Sequence, residues 1–255
     1  MSDKFYIRYN LHKSGVGRDV PWVTPDIFEM SQAEVEEYIR ECDNIQQDKA
    51  DRIKVILKSE TDYLSGKEVL FIGDSNTSDR LSYRTIVTKA AALNARDGSV
   101  SGATTSTLLI GINDTLSGFN GEMVSIMLGA NDSLCFGMDK REPFVSIEEN
   151  ERNLSLIVKW AKMSGATVLL VEIPPVEDAS FVERYGATRS HDNEIVWRYN
   201  KVLKKIAKKE NVAVLETTWL SENKAFFEGD GVHISSEGQE RLAEKWLKKA
   251  AEIIK

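Results

Sequence analysis

Basic residues, cysteine and histidine are all scarce, and each shortage removes a class of function. The 33 lysines and arginines are outnumbered by 40 aspartates and glutamates, giving a net charge of −7. No broad basic face is available for nucleic acid or anionic lipid, so nucleic acid is not an expected partner. Two cysteines, Cys42 and Cys135, lie far apart and outside any CxxC or His/Cys cluster. That excludes a disulfide framework and a zinc site and leaves two reduced, structural thiols. No run approaches the roughly 18 apolar residues of a membrane span, and the first residues, MSDKFYIRYNLHKSG, lack the apolar core of a signal peptide. The chain as given reads as cytoplasmic, with export the alternative if a leader has been trimmed. What is present is a chain of 255 residues, 42% of them hydrophobic, enough for one large core or for one core and a small appendage.

From Lys67 onward, apolar strand-like segments alternate with amphipathic helical ones. KEVLFIGDS reads as a strand, SYRTIVTKAAALNA as a helix, GSVSG as a second strand, the stretch through Leu109 as a helix, and MVSIMLGAND as a third strand. A helix over Ile147 to Met163, the strand TVLLVEIPP, a helix over Glu194 to Lys209, the strand VAVLE and a last helix to Ile254 complete the series. Short apolar strands separated by helices of 10 to 20 residues imply a parallel sheet covered on both faces. Local signals support the helices. Ser146 with Glu149 and Ser236 with Gln239 have capping-box spacing, and Gly165 stands where a helix-terminating glycine belongs.

Residues 1–66 do not fit this alternation and form an N-terminal extension to a main domain of residues 67–255. KFYIRYN alternates like an edge strand, KSGVGRDVPWVTPD reads as turns, and Ser31 with Glu34 opens a helical region. In that region Ile45, Ile53, Ile56, Leu57, Tyr63 and Leu64 keep helical spacing, and one helix or two both fit.

The stretch FIGDSNT ends a buried strand on Ser75, which is either a nucleophile or the cap of the next helix. A serine hydroxyl needs a base to take its proton, and the base needs an acid to hold its tautomer. Three histidines are available. His12 in the N-terminal turns and His191 in a polar loop beside Asp192 read as solvated surface residues. His233 lies in EGDGVHISSEGQ, three residues after Asp230, on the loop following the last strand. In a parallel sheet that loop opens on the same carboxyl edge as the loop of Ser75. SVSGATT brings Gly102 to that edge and IMLGANDS brings Asn131. The Ser75 and Gly102 amides with the Asn131 side chain would supply three donors to an oxyanion, although each alone is also an ordinary turn residue.

In this order the four blocks FIGDSNT, VSGATT, LGAND and DGVHIS resemble the SGNH, or GDSL-type, hydrolase family, over roughly Lys67 to Lys255. The resemblance implies a flavodoxin-like three-layer α/β/α fold with a central parallel sheet, and hydrolysis of an ester through an acyl-enzyme without a metal or cofactor. It assigns Ser75 as nucleophile, His233 as general base and then acid, and Asp230 as orienter of the imidazole. Ser75, Gly102 and Asn131 would form the oxyanion hole. Asp74 is then structural, and helix capping falls to Thr77 or Ser78. Leu134, Phe136, Met138 and Phe144 after the third strand, and Phe181 and Tyr185 after the fourth, are candidates to wall a substrate pocket or simply to pack their loops. The expected substrate is a short acyl ester, with an O-acetylated carbohydrate or another small molecule as its carrier. The rivals are a lysophospholipase or acyl-CoA thioesterase and, in another class, a non-catalytic binding module that keeps the fold. The oligomeric state stays open.

Overall fold

The structure, a computed structural model, describes residues 3–10, 29–136, 139 and 141–254. The expected edge strand at the N-terminus is a helix, α1 (Asp3–Arg8). Phe5 and Tyr9, four residues apart, put their rings 4.6 Å from one another on one helical face, the period of a helix rather than of a pleat. The segment expected to form turns, and His12 within it, lie outside the described residues.

Ser31 opens α2 (Gln32–Ile56) with a full capping box, its side chain accepting from the Glu34 amide and Glu34 reaching back. Leu57 leaves helical geometry and α3 (Lys58–Leu64) follows, so the region is two helices. The buried face of α2 is not the isoleucine stripe: Ile45 and Ile56 are exposed, while Cys42, Gln46, Lys49, Ala50 and Ile53 are buried. The polar members face later parts of the chain. Gln46 Nε2 donates to the Arg80 carbonyl at 3.1 Å, and Lys49 Nζ donates to Ser236 Oγ at 2.6 Å.

After α3, β1 (Glu68–Gly73) leads into a short helix α4 (Ser75–Ser78) and then α5 (Tyr83–Ala90). The second strand is not GSVSG but β2 (Asn94–Asp97). NARD carries no apolar signal because it is the sheet's edge, and GSVSG is the loop beyond it. The Gly98 and Val100 amides still donate to the Phe71 and Gly73 carbonyls, extending the pairing into that loop. Next come α6 (Thr105–Leu116), β3 (Met123–Met127), α7 (Ala130–Ser133) and the small hairpin β4 (Cys135–Phe136) and β5 (Glu142–Pro143). α8 (Ile147–Met163) has the expected bounds, with Ser146 accepting from the Glu149 amide and Gly165 at φ +84° after its end. β6 (Thr167–Val171) precedes α9 (Asp178–Tyr185), a helix where a loop was expected, capped by Glu177. α10 (Asn193–Glu210), β7 (Ala213–Leu215), two turns of 3-10 helix and α11 (Ser236–Ile253) finish the chain.

The cap of α11 is Ser235, which accepts from the Gly238 amide, so the expected pairing of Ser236 with Gln239 does not form. Gln239 is fully buried and turned inward, accepting from the Tyr83 amide at 2.8 Å and donating to the Asn76 carbonyl at 3.0 Å.

The five long strands are all parallel in the order β2-β1-β3-β6-β7, the flavodoxin-like arrangement in which the chain reverses direction across the sheet between β1 and β3. Alternate residues of β1 feed opposite faces. Val69 and Phe71 pack with α5, α11, α2 and α3 through Ile86, Trp246, Ile53 and Leu64. Leu70 and Ile72 pack with α6, α8 and α10 through Ile112, Ile157 and Leu203. The result is the three-layer α/β/α sandwich.

Trp246 anchors the first layer. It is fully buried, its ring lies 5.3 Å from Phe71, and its indole N–H donates to Ser125 Oγ at 2.9 Å. Truncation removes the ring, opens a cavity and strands a buried hydroxyl. Trp246→Ala is expected to lower the unfolding free energy by about 3–5 kcal/mol in urea titrations, whereas a loss below about 1 kcal/mol would show that the layer is not anchored there.

Candidate active site

Gly73 makes the turn that ends β1. A Cβ there would lie 2.3 Å from Thr77 Oγ1 and 2.8 Å from the Met127 carbonyl, so only glycine lets the chain bend this tightly between β1 and β3. Asp74 then caps α4, accepting from the Asn76 amide at 3.0 Å, while its carbonyl takes the Thr77 and Ser78 amides. Capping therefore belongs to Asp74, not to Thr77 or Ser78. The reason is that Ser75 itself is the first helical residue, which leaves its amide pointing out of the turn. Burial pushes the Asp74 carboxyl up to about 6, against the pull of the Asn76 hydrogen bond and of His233. It is a structural group, and His233 pairs with a different acid.

That acid is Asp230. Its Oδ1 accepts the backbone amides of Val232 and His233, both at 3.0 Å, and its Oδ2 faces His233 Nδ1 at 2.6 Å. Gly231, at φ +73°, makes the turn possible; a Cβ there would sit 2.4 Å from the Glu177 carbonyl. Burial works to raise the Asp230 carboxyl, but its hydrogen bonds and the His233 charge hold it well below the usual carboxylate range. An ionised Asp230 only accepts, so His233 Nδ1 carries the proton and Nε2 presents a lone pair. Nε2 lies 2.9 Å from Ser75 Oγ. The three side chains form one hydrogen-bonded line suited to taking a proton from a serine hydroxyl.

Asn76, which has no counterpart among the expected site residues, ties the two loops together. It is buried, its Oδ1 accepts from the Ile234 amide at 2.9 Å, and its carbonyl accepts from Gln239. The signal in the sequence is only a polar residue beside Ser75.

Gly102 has φ +78°, and among the described residues neither its amide nor that of Ser75 has a hydrogen-bond partner. Asn131 is half-buried at the start of α7 and donates one amide hydrogen to the Ala103 carbonyl at 3.0 Å, which fixes its plane and leaves the other free. Asp132 holds this loop to α6, accepting from the Thr105 amide and hydroxyl and from Asn150. Ser75, Gly102, Asn131 and His233 line one cavity of about 170 Å³. Free donors around such a cavity can meet negative charge that develops on a bound carbonyl.

Of the expected wall residues, Leu134, Phe181 and Tyr185 line this cavity. Phe136 does not, because it stacks on Phe144 at 4.4 Å on the β4/β5 hairpin, where both are exposed. Met138 lies outside the described residues. Lining residues that were not expected include Phe5 on α1, Tyr9 just after that helix, Arg189 and His191. An outer groove of about 490 Å³ shares Phe5, Tyr9 and Tyr185 with the cavity and adds Lys4, Arg8, Tyr38, Arg184 and Glu228.

His191 is not the solvated residue its polar neighbours suggested. It is 5% exposed, its Nε2 lies 2.9 Å from Ser133 Oγ, and burial pushes its imidazole down to about 4. The cause is α9, which covers the loop and sets Phe181 against the imidazole at 5.9 Å. The unfolded chain binds this proton as pH falls through about 6.5, while the folded chain resists until about 4, so stability is lost across that window as pH falls. Relative to His191→Gln, the wild type is expected to lose up to about 3 kcal/mol between pH 7 and pH 4 in urea titrations; parallel pH curves for the two would contradict this.

The sequence model of the GDSL-like lipase/acylhydrolase family matches residues 71–241. No curated protein matches the chain in sequence. Among solved structures, TesA is similar at 22% identity and TM-score 0.56, over 72% of this chain and 99% of its own. A lipase/acylhydrolase from Enterococcus faecalis is similar at 20% identity and TM-score 0.58, over 73% and 96%. A catalytic mutant of Axe2, an acetylxylan esterase from Geobacillus stearothermophilus, is similar at 21% identity and TM-score 0.57, over 72% and 94%. At such identities these likenesses establish the shared fold, while the family match spans more than half of the chain and includes Ser75, Gly102, Asn131, Asp230 and His233. The chain belongs to the GDSL-like lipase/acylhydrolase family and is a carboxylic ester hydrolase.

Proposed function

We propose that the chain is a serine esterase that hydrolyses short-chain acyl esters through an acyl-enzyme. The observation that carries this reading is the continuous line from Ser75 Oγ to His233 Nε2 at 2.9 Å and from His233 Nδ1 to Asp230 at 2.6 Å. Ser75 attacks the ester carbonyl while His233 takes its proton, and Asp230 steadies the imidazolium. The negative carbonyl oxygen is met by the Ser75 and Gly102 amides and the free Asn131 amide hydrogen. His233 then protonates the departing alcohol, and the same residues reversed hydrolyse the acyl-serine with water.

Size supports a short acyl group. The cavity that holds Ser75 and His233 is about 170 Å³, far smaller than the outer groove of about 490 Å³. A fatty chain of a lysophospholipid or acyl-CoA would need an unbroken apolar continuation, whereas the outer groove sets Lys4, Arg8, Arg184 and Glu228 among the rings of Phe5, Tyr9, Tyr38 and Tyr185. Tyr185 presents a ring between the two spaces, flanked by the Arg184 and Arg189 guanidiniums at 6.0 and 5.7 Å. A small inner space opening on a groove of mixed charged and aromatic lining suits an O-acetyl group on a carbohydrate, the substrate class for which the Geobacillus enzyme is named.

Aryl acetate and butyrate esters test the reading. Ser75→Ala is expected to lose about a thousandfold or more of kcat, and Asn131→Ala about 100-fold with KM little changed. Rates should fall as the acyl chain lengthens to decanoate. Equal rates for wild type and Ser75→Ala would sink the assignment, and a preference for decanoate would turn it towards the long-chain rivals.

A further inference from the structure

The extension ahead of the family match reaches the centre of the site. Tyr9 is 1% exposed, and its ring centroid lies 4.3 Å from that of His233 with the planes tilted by 41°. Phe5 meets the same imidazole edge-on at 5.6 Å. The segment is anchored to the loops that carry the reacting groups. The Arg80 amide donates to the Arg8 carbonyl at 2.9 Å, and Asn10 Nδ2 donates to the Ser78 carbonyl at 2.6 Å. The Ser101 hydroxyl, next to Gly102, donates to the Tyr9 carbonyl. The Arg8 guanidinium grips the buried Asp79 carboxylate with two nitrogens, at 3.0 and 2.9 Å, and reaches Glu228 at 2.8 Å.

A surface appendage would not need six such bonds over three residues. Nor is the phenol used for hydrogen bonding, because the buried Tyr9 hydroxyl has no partner among the described residues. What the fold holds against His233 is the ring.

We propose that Tyr9 is a positioning residue of this active site. Its ring packs on the His233 imidazole, keeps that ring in line between Asp230 and Ser75, and presents π density to the imidazolium formed when the Ser75 proton moves to Nε2. It also shields the hydrogen bond between Nδ1 and Asp230 from water. The inference rests on the reading of His233 as the base. It gives the N-terminal segment a part in an active site whose reacting groups all lie in the main domain.

Three variants test it: Tyr9→Phe, Tyr9→Leu and, if the leucine form does not fold, Tyr9→Met, whose flexible side chain fills irregular space without a ring. On 4-nitrophenyl acetate, Tyr9→Phe is expected to keep kcat within about twofold and to be at least as stable as wild type, since it removes a buried hydroxyl that has no partner among the described residues. The ring-less variant should lose about tenfold or more in kcat with KM changed by less than threefold. Proton NMR gives a readout independent of turnover. The far-downfield His233 Nδ1 proton should stay sharp in wild type and Tyr9→Phe and exchange faster with water in the ring-less variant. A ring-less variant with wild-type kcat and an unchanged downfield proton would overturn the proposal, as would equal losses in Tyr9→Phe and Tyr9→Leu. If wild type hydrolyses no ester, the reading of the reaction fails, and the downfield proton still decides whether Tyr9 holds the imidazole.

Discussion

Two loops 158 residues apart in sequence must be held within one hydrogen bond of each other for this site to exist, and Asn76 is the residue that holds them. Its side chain takes the Ile234 amide directly after His233, and its carbonyl takes Gln239 from α11. Gln239 in turn accepts from the Tyr83 amide at the start of α5. A buried polar network of this kind is useful only when every member is paired, since an unpaired buried donor or acceptor is costly. Satisfying it fixes the register between the Ser75 turn and the His233 turn. The sheet contributes the gross placement: both turns leave the carboxyl edge, one of them at the switch between β1 and β3.

The same loops receive the N-terminal segment. Arg8 pairs with Asp79, whose buried carboxylate has no other ion-pair partner among the described residues, and Asp79 also accepts from the Leu81 amide at 2.8 Å. An isolated buried carboxylate is expensive enough that the pairing and the fold of this corner stand together. On the opposite side, Lys49 of α2 donates to Ser236 at the start of α11. Ala50, Ile53, Leu57 and Leu64 belong to the same apolar cluster as Phe71 and Trp246. Residues ahead of the family match thus contribute both to the core and to the wall of the cavity.

How much of this was legible in the sequence varied with the kind of signal. Strands β1, β3 and β6 are buried on both faces and announced themselves as unbroken apolar runs, and α8 carried a cap, a stripe and a terminating glycine. β2 hid because an edge strand needs no apolar face, and GSVSG drew the reading four residues too far. Ser75, Gly102, Asn131, Asp230 and His233 were legible because each ends a strand or sits in a glycine turn at one edge. The residues that lock them, Asn76 and Gln239, look like surface amides until the tertiary contacts are known. Phe5 and Tyr9 alternate with Ile7, and period two and period four cannot be told apart over so short a span. His191 beside Asp192 read as polar loop, and only the packing of α9 over it made it a buried wall residue.

The central claim is that His233, held by Asp230, activates Ser75. The most direct measurement is reaction with a fluorophosphonate followed by peptide mass mapping. Wild type is expected to gain a single phosphonyl group on the peptide containing Ser75, and His233→Ala is expected to gain none on the same timescale. Labelling of Ser75 at equal rates in both proteins, or labelling at a different residue, would contradict the account.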